Sequence, residues 1–143
     1  MTDNLLILHG GGPTAVINAS LYGAVQEAKK RLKGGKIYAA RRGTGGLLRR
    51  EILDLGVVPE QELELLLHTP GSAIGTSRDA LKPEDYAAMA QALEELGVRY
   101  VLMNGGNGTM DTCGKLCAAC RGKNIAVVGI PKTMDNDICV TDH

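Results

Sequence analysis

The chain has 143 residues and a mass of 15.1 kDa, a length that suits a single domain. Its 16 basic side chains balance 16 acidic ones, which argues against a protein that binds nucleic acid through a basic charge excess. No apolar run approaches the roughly 18 residues of a membrane span, and no secretory signal pattern is visible. We therefore expect a cytoplasmic protein whose four cysteines are reduced.

The first half of the chain alternates apolar runs with helical patterns. Residues 5–8 form a continuous apolar run, which is typical of a strand buried on both faces, and residues 14–31 repeat apolar side chains at helical spacing. Residues 36–40 predict a second strand, and residues 59–67 predict a helix with acidic residues in its first turn. Two glycine-bearing polar segments are predicted to be loops, 41–50 and 69–78.

The second half repeats this alternation more clearly. A helix is predicted to begin at Pro83, and residues 100–103 predict a buried strand. A tight glycine loop at 104–108, a helix at 109–121 and a strand at 125–130 follow. Strands that alternate with helices predict an α/β fold, a Rossmann-like parallel sheet with helices on both faces.

Two glycine loops are predicted to lie at the carboxyl edge of this sheet, where open α/β sheets bind ligands. Gly10–Gly12 follow the first strand, and Gly105, Gly106, Gly108 and Thr109 follow the third. Glycines let backbone N–H groups approach an anion, and a helix N-terminus adds positive potential. Each loop alone could be an ordinary tight turn or helix cap. Two of them at one edge favour a shared phosphate site.

The segment 131–137 follows the last predicted strand and therefore lies at the same edge. Phosphoryl transfer uses positive charge on the phosphates and a carboxylate that takes the proton of the acceptor hydroxyl. A solvated polar loop is the alternative, but the neighbouring glycine loops favour a functional role. The chemically relevant side chains of the segment are Lys132, Thr133, Asp135, Asn136 and Asp137.

Other candidate residues have ordinary structural interpretations. Cys113, Cys117 and Cys120 share one helical face, where packing is favoured over a zinc site completed by Cys139. His9 ends a strand beside the glycines, where a packed or rim histidine is favoured over contact with a ligand, and Arg78 taken alone is expected to be a solvated charge. The arginine cluster 41, 42, 49 and 50 is balanced by nearby acidic residues and is expected to be solvated.

Four segments together resemble the phosphofructokinases, in the order and approximate spacing of that family. Diacylglycerol and NAD kinases carry a similar glycine loop, so the last segment is the most specific of the four. The resemblance extends from about residue 4 to the end of the chain. The four segments are Gly10–Asn18, Gly75–Arg78, Gly105–Thr109 and Pro131–Asp137.

The resemblance implies transfer of a phosphoryl group to the 1-hydroxyl of fructose 6-phosphate, with Mg²⁺, in glycolysis. It implies that Asp135 is the general base, that Thr133 hydrogen-bonds the phosphoryl group or the sugar, and that Asp137 is a supporting carboxylate, with Lys132 in the same catalytic segment. The donor phosphates would be held by Gly11, Gly12, Arg78, Gly106, Asn107, Gly108 and Thr109.

Two positions depart from the pattern of the ATP-dependent enzymes. Asn107 stands where those enzymes usually have a metal-contacting Asp, so magnesium binding there should be weaker. At the two positions that differ between ATP and pyrophosphate enzymes the chain is mixed, with Gly108 and Lys132. Glycine leaves space for the α-phosphate of ATP. The mixed pattern resembles the ATP-using trypanosomal branch, so ATP is the expected donor and pyrophosphate the alternative.

Members of the resembled family are more than twice as long as this chain. Residues 1–143 are therefore expected to be the N-terminal part of the donor-binding domain, without the sugar-phosphate domain, from a parent that forms homo-oligomers. Two alternatives remain open. One is a non-catalytic nucleotide-binding module, and the other is a kinase of the NAD or diacylglycerol type, against which the 131–137 segment argues.

Overall fold

The structure is a computed structural model that describes residues 3–12, 14–77 and 80–132. Within these residues a five-stranded sheet has the order β3-β2-β1-β4-β5, with helices on both faces. The strands are β1 (Asn4–His9), β2 (Ile37–Ala40), β3 (Ile52–Asp54), β4 (Val98–Gly105) and β5 (Ala126–Pro131). The helices are α1 (Ala15–Arg31), α2 (Gly43–Leu48), α3 (Glu60–Glu64), α4 (Pro83–Glu95) and α5 (Asn107–Ala119).

The predicted α/β fold is confirmed, and the central strand β1 shows how the sequence produces it. All six of its residues are buried, and it pairs in parallel with both β2 and β4. Leu6 and Leu8 point to one face, and Leu5 and Ile7 point to the other. The aliphatic run at the start of the sequence thus serves two cores at once, as expected for a strand covered on both sides.

Each face of the sheet carries its own apolar core. One core packs α2, α4 and α5 against the sheet and includes Cys113 and Cys120, which confirms the packing role predicted for those two cysteines. The other core packs α1 and the 55–74 segment against the opposite face. Cys117 is exposed, and Cys139 lies outside the described residues.

The strand order creates a switch point between β1 and β4. The chain leaves β1 through α1 toward β2, and it leaves β4 through α5 toward β5, so the two connections diverge on opposite faces. A crevice opens where such connections part at the carboxyl ends of neighbouring parallel strands. Both predicted glycine loops begin there.

The predicted parallel sheet is confirmed for four of the five strands, whereas the prediction of a loop at 41–50 was wrong. Residues 43–48 form α2, and β3 pairs antiparallel with β2 at the sheet edge. Gly-Thr-Gly-Gly is a poor helix former, so local propensity argued against this helix. Tertiary packing overrides it, because Leu47 is fully buried in the first core and Gly46 allows contact with the Arg41 carbonyl.

Smaller differences concern the ends of elements. The helix predicted at 59–67 is α3 followed by a 3₁₀ helix at Leu65–His68. Residues 104 and 105 belong to β4, and α5 begins at Asn107, so the second glycine loop is shorter than expected. Among the described residues, every helix is too short or too polar to span a membrane.

Candidate functional site

A cavity of about 560 Å³ lies at the carboxyl ends of β1 and β4. It is bounded by both glycine loops, by the first turns of α5 and by residues of α2 and the 69–77 loop. Its wall combines backbone, hydroxyl groups and three aliphatic side chains. The lining residues are Leu8, His9, Gly10, Gly11, Gly12, Thr44, Ser77, Leu81, Met103, Gly106, Asn107, Gly108, Thr109, Thr112 and Lys132.

The first glycine loop passes close to the side chain of Thr109. A β-carbon on Gly10 would clash with Thr109 Oγ1. Gly11 has φ +75°, a left-handed conformation that favours glycine, and a β-carbon there would lie 3.6 Å from the Gly106 backbone nitrogen. The two glycine loops therefore approach each other closely at the cavity, with the Thr109 side chain against the first loop.

The second loop directs the N-terminus of a helix into the cavity. Gly106 is the N-cap of α5, and the first helical bond joins Met110 N–H to the Gly106 carbonyl at 3.0 Å. The N–H groups of the first turn before Met110 have no acceptor within the helix, and the helix dipole adds positive potential there. A β-carbon on Gly108 would meet no atom within 4 Å, so this face of α5 is open.

Lys132 supplies the formal positive charge of the site. Its Nζ donates to the Gly12 carbonyl at 2.7 Å, and its backbone N–H donates to the Gly105 carbonyl at 2.8 Å. Lys132 thereby connects the end of β5 to both glycine loops. Within the described part of the chain, no carboxylate lines the cavity, so its potential suits an anion.

His9 contributes a neutral imidazole beneath the site. Its side chain is fully buried, and desolvation lowers its pKa from 6.5 to about 4. Nδ1 lies 2.8 Å from Ser72 Oγ, and Nε2 lies 3.4 Å from the side-chain nitrogen of Asn104. The expectation of a packed histidine is confirmed, and the ring carries no charge at neutral pH.

The structure brings together most of the predicted phosphate-binding residues. Gly11 and Gly12 from the first loop face the start of α5, and Lys132 lies between the loops. The α5 residues in this group are Gly106, Asn107, Gly108 and Thr109. Five predicted site residues lie outside the described residues: Arg78, Thr133, Asp135, Asn136 and Asp137.

Three lining hydroxyl groups were not predicted from the sequence. Thr112 follows Thr109 by three residues on α5, so helical spacing could have identified it. Thr44 and Ser77 are 33 residues apart in the sequence, yet their hydroxyl oxygens lie 3.3 Å apart at the cavity. Only the packing of α2 beside the 69–77 loop brings this pair together.

The described side chains do not form a metal site by themselves. Among them, no group of three or more His, Cys, Asp or Glu side chains could hold a metal ion. Asn107 lies at the cavity with an amide rather than a carboxylate. The weaker magnesium binding expected at this position stays a prediction.

Comparison with known proteins identifies related sequences. The family model described as Phosphofructokinase matches residues 4–143. The chain is 41% identical over 146 residues to a pyrophosphate–fructose 6-phosphate 1-phosphotransferase of Xanthomonas campestris pv. campestris, covering 97% of this chain and 34% of that protein. It is 33% identical over 147 residues to the ATP-dependent 6-phosphofructokinase 3 of Bacteroides thetaiotaomicron, covering 95% of this chain and 40% of that protein.

Solved structures agree with these sequence relatives. A pyrophosphate-dependent phosphofructokinase from Nitrosospira multiformis superposes with a TM-score of 0.86 and 34% identity, over 97% of this chain and 36% of that one. The chain therefore spans about a third of the length of the relatives that it matches. Since the family model covers nearly every residue and the matched fold is the same, this chain belongs to the phosphofructokinase family.

Proposed function

We propose that the protein carrying this chain transfers the terminal phosphoryl group of ATP to the 1-hydroxyl of fructose 6-phosphate, and that residues 1–143 form part of its donor-binding domain. The observation that carries this proposal is the cavity between the glycine loops, where the N-terminus of α5 and the Lys132 ammonium converge and no described carboxylate intrudes. Such a site holds phosphate oxygens through backbone N–H groups and charge.

ATP is the donor that the cavity supports best. The open space at Gly108 leaves room beside α5 for the α-phosphate of ATP. The partly exposed side chain of Leu81 adds an apolar contact at the cavity that a bare diphosphate would not use. Two observations favour pyrophosphate as a second candidate: Lys132, and the pyrophosphate enzyme that is 41% identical.

The chemical step is assigned through the family motif. Asp135 takes the proton of the 1-hydroxyl as that oxygen forms its bond to the γ-phosphorus and the bond to the β–γ bridging oxygen breaks. Thr133 hydrogen-bonds the transferring phosphoryl group or the sugar, and Asp137 is a supporting carboxylate. Support comes from the chain itself, because these residues directly follow Lys132, which lies at the cavity. Positioning and electrostatics account for most catalysis in phosphoryl transfer.

Mg²⁺ fits this site as a partner of the donor. The described lining offers the Asn107 amide oxygen as a ligand, and the donor phosphates would supply most of the others. Mg²⁺ commonly keeps several waters and binds through few protein groups plus substrate phosphates. When bound, it neutralises the charge that develops on those phosphates.

A coupled assay for fructose 1,6-bisphosphate tests the proposal. The protein from the complete reading frame is assayed with ATP and with pyrophosphate in parallel. Activity with ATP alone is expected, whereas activity with pyrophosphate alone would replace the donor assignment. Inactivity with both donors, in folded protein, would overturn the enzyme proposal in favour of a nucleotide-binding module.

Asp135→Asn tests the assigned base. The substitution keeps the size of the side chain and removes the proton acceptor. We expect kcat to fall by about 10²–10⁴-fold with nearly unchanged donor affinity, because a positioned general base contributes a factor of that order. Turnover close to that of the unsubstituted enzyme would remove Asp135 from the mechanism.

We infer a place in glycolysis and a cytoplasmic location from the proposed substrate and the sequence pattern, and a homo-oligomeric parent from the family resemblance. Cell fractionation followed by size-exclusion chromatography with light scattering checks the location and the oligomer. A monomer of the complete protein would contradict the latter.

A further inference from the structure

The 69–77 loop reaches the cavity without any regular secondary structure. None of its nine residues lies in a helix or strand, yet Ser77 at its end lines the cavity. A segment of this kind has few backbone bonds of its own to fix its path. Its position must therefore depend on contacts with neighbouring elements, and buried polar side chains provide several of them.

Asn18 on α1 binds the loop at two points. Its side-chain nitrogen donates to the Thr69 carbonyl at 2.8 Å, and its Oδ1 accepts from the Ala73 N–H, also at 2.8 Å. The side chain is fully buried. The Asn18 amide therefore donates one hydrogen bond to the loop backbone and accepts one from it, as the backbone of a paired β-strand does.

His9 at the end of β1 binds the same loop at a third point. The side-chain nitrogen of Asn104 is a donor only, and it also donates to the Ile17 carbonyl at 2.9 Å. It therefore donates to His9 Nε2, which leaves the ring proton on Nδ1. His9 Nδ1–H then donates to Ser72 Oγ at 2.8 Å.

The far side of the loop is anchored to the segment before α2 and to α2 itself. The Arg42 N–H donates to the Ile74 carbonyl at 2.8 Å, and Ser77 Oγ lies 3.3 Å from Thr44 Oγ1. Ile74 itself is buried in the second core. The loop is thus held between β1 and α1 on one side and the N-terminal end of α2, with its N-cap Arg42, on the other.

Burying three polar side chains in one place is costly unless each is hydrogen-bonded. His9, Asn18 and Asn104 are each at most 1% exposed, and each has the partners described above. Aliphatic side chains would fill the same space without that requirement. A satisfied polar network instead fixes one arrangement of the elements that it joins.

We propose that His9 and Asn18 are positioning residues. They hold the 69–77 loop in a fixed position beside the donor cavity and thereby set the affinity for the phosphoryl donor. We call these two side chains and Ser72 the loop clamp. The proposal rests on the proposed function, because it takes the cavity to be the donor site. Asn18 does not line the cavity and acts through the loop alone, whereas the fully buried His9 borders the cavity and acts on the loop through its bond to Ser72.

Ser72→Ala tests the loop clamp without altering the core. The substitution removes the acceptor of the buried His9 Nδ1–H. Loss of one hydrogen bond of this kind changes the equilibrium between the clamped and the released loop by about fivefold. We expect the KM for the donor, ATP and pyrophosphate each being tested, to rise about fivefold while kcat stays within about twofold. Thr69→Val is the matched control, because its hydroxyl donates to the Leu65 carbonyl and not to the clamp.

His9→Leu and His9→Asn form a rescue pair at the other end of the bond. Leucine cannot donate to Ser72, whereas the asparagine amide places a donor near the position of Nδ1. We expect His9→Asn to have a donor KM closer to that of the unsubstituted protein than His9→Leu has. Equal donor KM values for the two variants, both folded, would contradict the assigned hydrogen bond.

Hydrogen–deuterium exchange gives a readout that does not depend on activity. The Ala73 amide should exchange about fivefold faster in Ser72→Ala and at an unchanged rate in Thr69→Val. Unchanged exchange and donor KM in Ser72→Ala would overturn the loop clamp. Failure of the unsubstituted protein to bind either donor would instead overturn the proposed function and the donor role of the loop, while exchange would still decide whether the clamp exists.

Discussion

The ends of β1 and β4 are built alike for two residues and then diverge. His9 and Asn104 are register partners with buried polar side chains, and each is followed by a glycine that faces Thr109. The Gly10 N–H donates to the Asn104 carbonyl at 3.0 Å, which keeps the two strand ends in parallel up to this point. Both glycines are required because a side chain there would collide with Thr109.

The next residues follow different paths. Gly11 turns with φ +75°, and the Gly12 carbonyl then accepts from Lys132. Gly106 keeps an ordinary φ of −81° and caps α5, which leaves Gly108 on an open face. Glycine therefore serves two purposes in one site: the first in each loop permits packing, and the later ones keep space for a ligand.

The largest expected effect is the pH dependence of the free energy of unfolding. It distinguishes His9 from its register partner Asn104, because only His9 has a side chain that titrates. Burial holds its pKa at about 4, against 6.5 when exposed. As the pH falls from about 6.5 to 4, the unfolded chain binds a proton that the folded chain does not, so the free energy of unfolding decreases. The total loss is about 3 kcal/mol and is absent above pH 7.

Urea unfolding at pH 7 and at pH 4 measures this loss. His9→Asn should remove most of it, because the asparagine side chain does not titrate. An identical pH dependence in His9→Asn would show that other groups cause the loss.

The next effect tests why the first glycines are needed. A β-carbon on Gly105 would lie 2.5 Å from the Gly10 carbonyl oxygen and 2.8 Å from Thr109 Cβ. Gly105→Ala should lower the free energy of unfolding by about 3 kcal/mol, the upper part of the range for overpacking. Gly114→Ala is the control, because nothing lies within 4 Å of that position on α5 and alanine favours helix there.

Gly10→Ala distinguishes side-chain from backbone crowding. All of the close neighbours of a β-carbon on Gly10 belong to the Thr109 side chain. Adding Thr109→Ala should therefore recover most of the stability lost in Gly10→Ala and little of that lost in Gly105→Ala. Equal recovery in both double variants, measured by urea unfolding, would contradict this difference between the two strand ends.

A smaller effect tests the open glycine of the second loop. Gly108→Asp adds a carboxylate beside the proposed α-phosphate position, and we expect the KM for ATP to rise about tenfold, equivalent to about 1.4 kcal/mol. Use of pyrophosphate should change much less, and stability should be retained. Gly114→Asp adds the same charge away from the cavity and should leave both donors unaffected. Equal loss with both donors would refute the steric argument.

The smallest effect tests the turn at Gly11. Alanine in a left-handed conformation costs about 1 kcal/mol. Gly34 has φ +81° and open surroundings, so Gly34→Ala shares this backbone cost away from the site. Urea unfolding should show similar losses for both variants, whereas only Gly11→Ala should raise the donor KM, by about threefold. An unchanged donor KM in Gly11→Ala would place the phosphates elsewhere.

Much of the fold was predictable because it depends on local patterns. The aliphatic runs of β1 and β4 and the helical spacing of α1 each identify an element from a few consecutive residues. The pair α2 and β3 was missed for the opposite reason. A glycine-rich helix of six residues and a strand of three have weak local signals and exist through burial of Leu47 and pairing with β2.

The lining of the cavity was predictable to the same extent. The glycine loops and Lys132 were found because each directly follows a strand and so must lie at the carboxyl edge. Thr44, Ser77 and the loop clamp were not found, since their partners are distant in the sequence. His9 meets Ser72 across 63 positions, and Asn18 meets Ala73 across 55.

The sequence by itself determined the alternation of strands and helices, the edge of the sheet where chemistry can occur and the family motifs that stand there, because periodicity and strand-to-loop order are local properties. Tertiary structure alone decided which glycines are crowded and which are open, that His9 is buried and neutral, and that a loop without secondary structure is fixed beside the cavity. Each of these depends on atoms brought together from distant parts of the chain, where burial removes water and leaves hydrogen bonds and steric contact to select one arrangement.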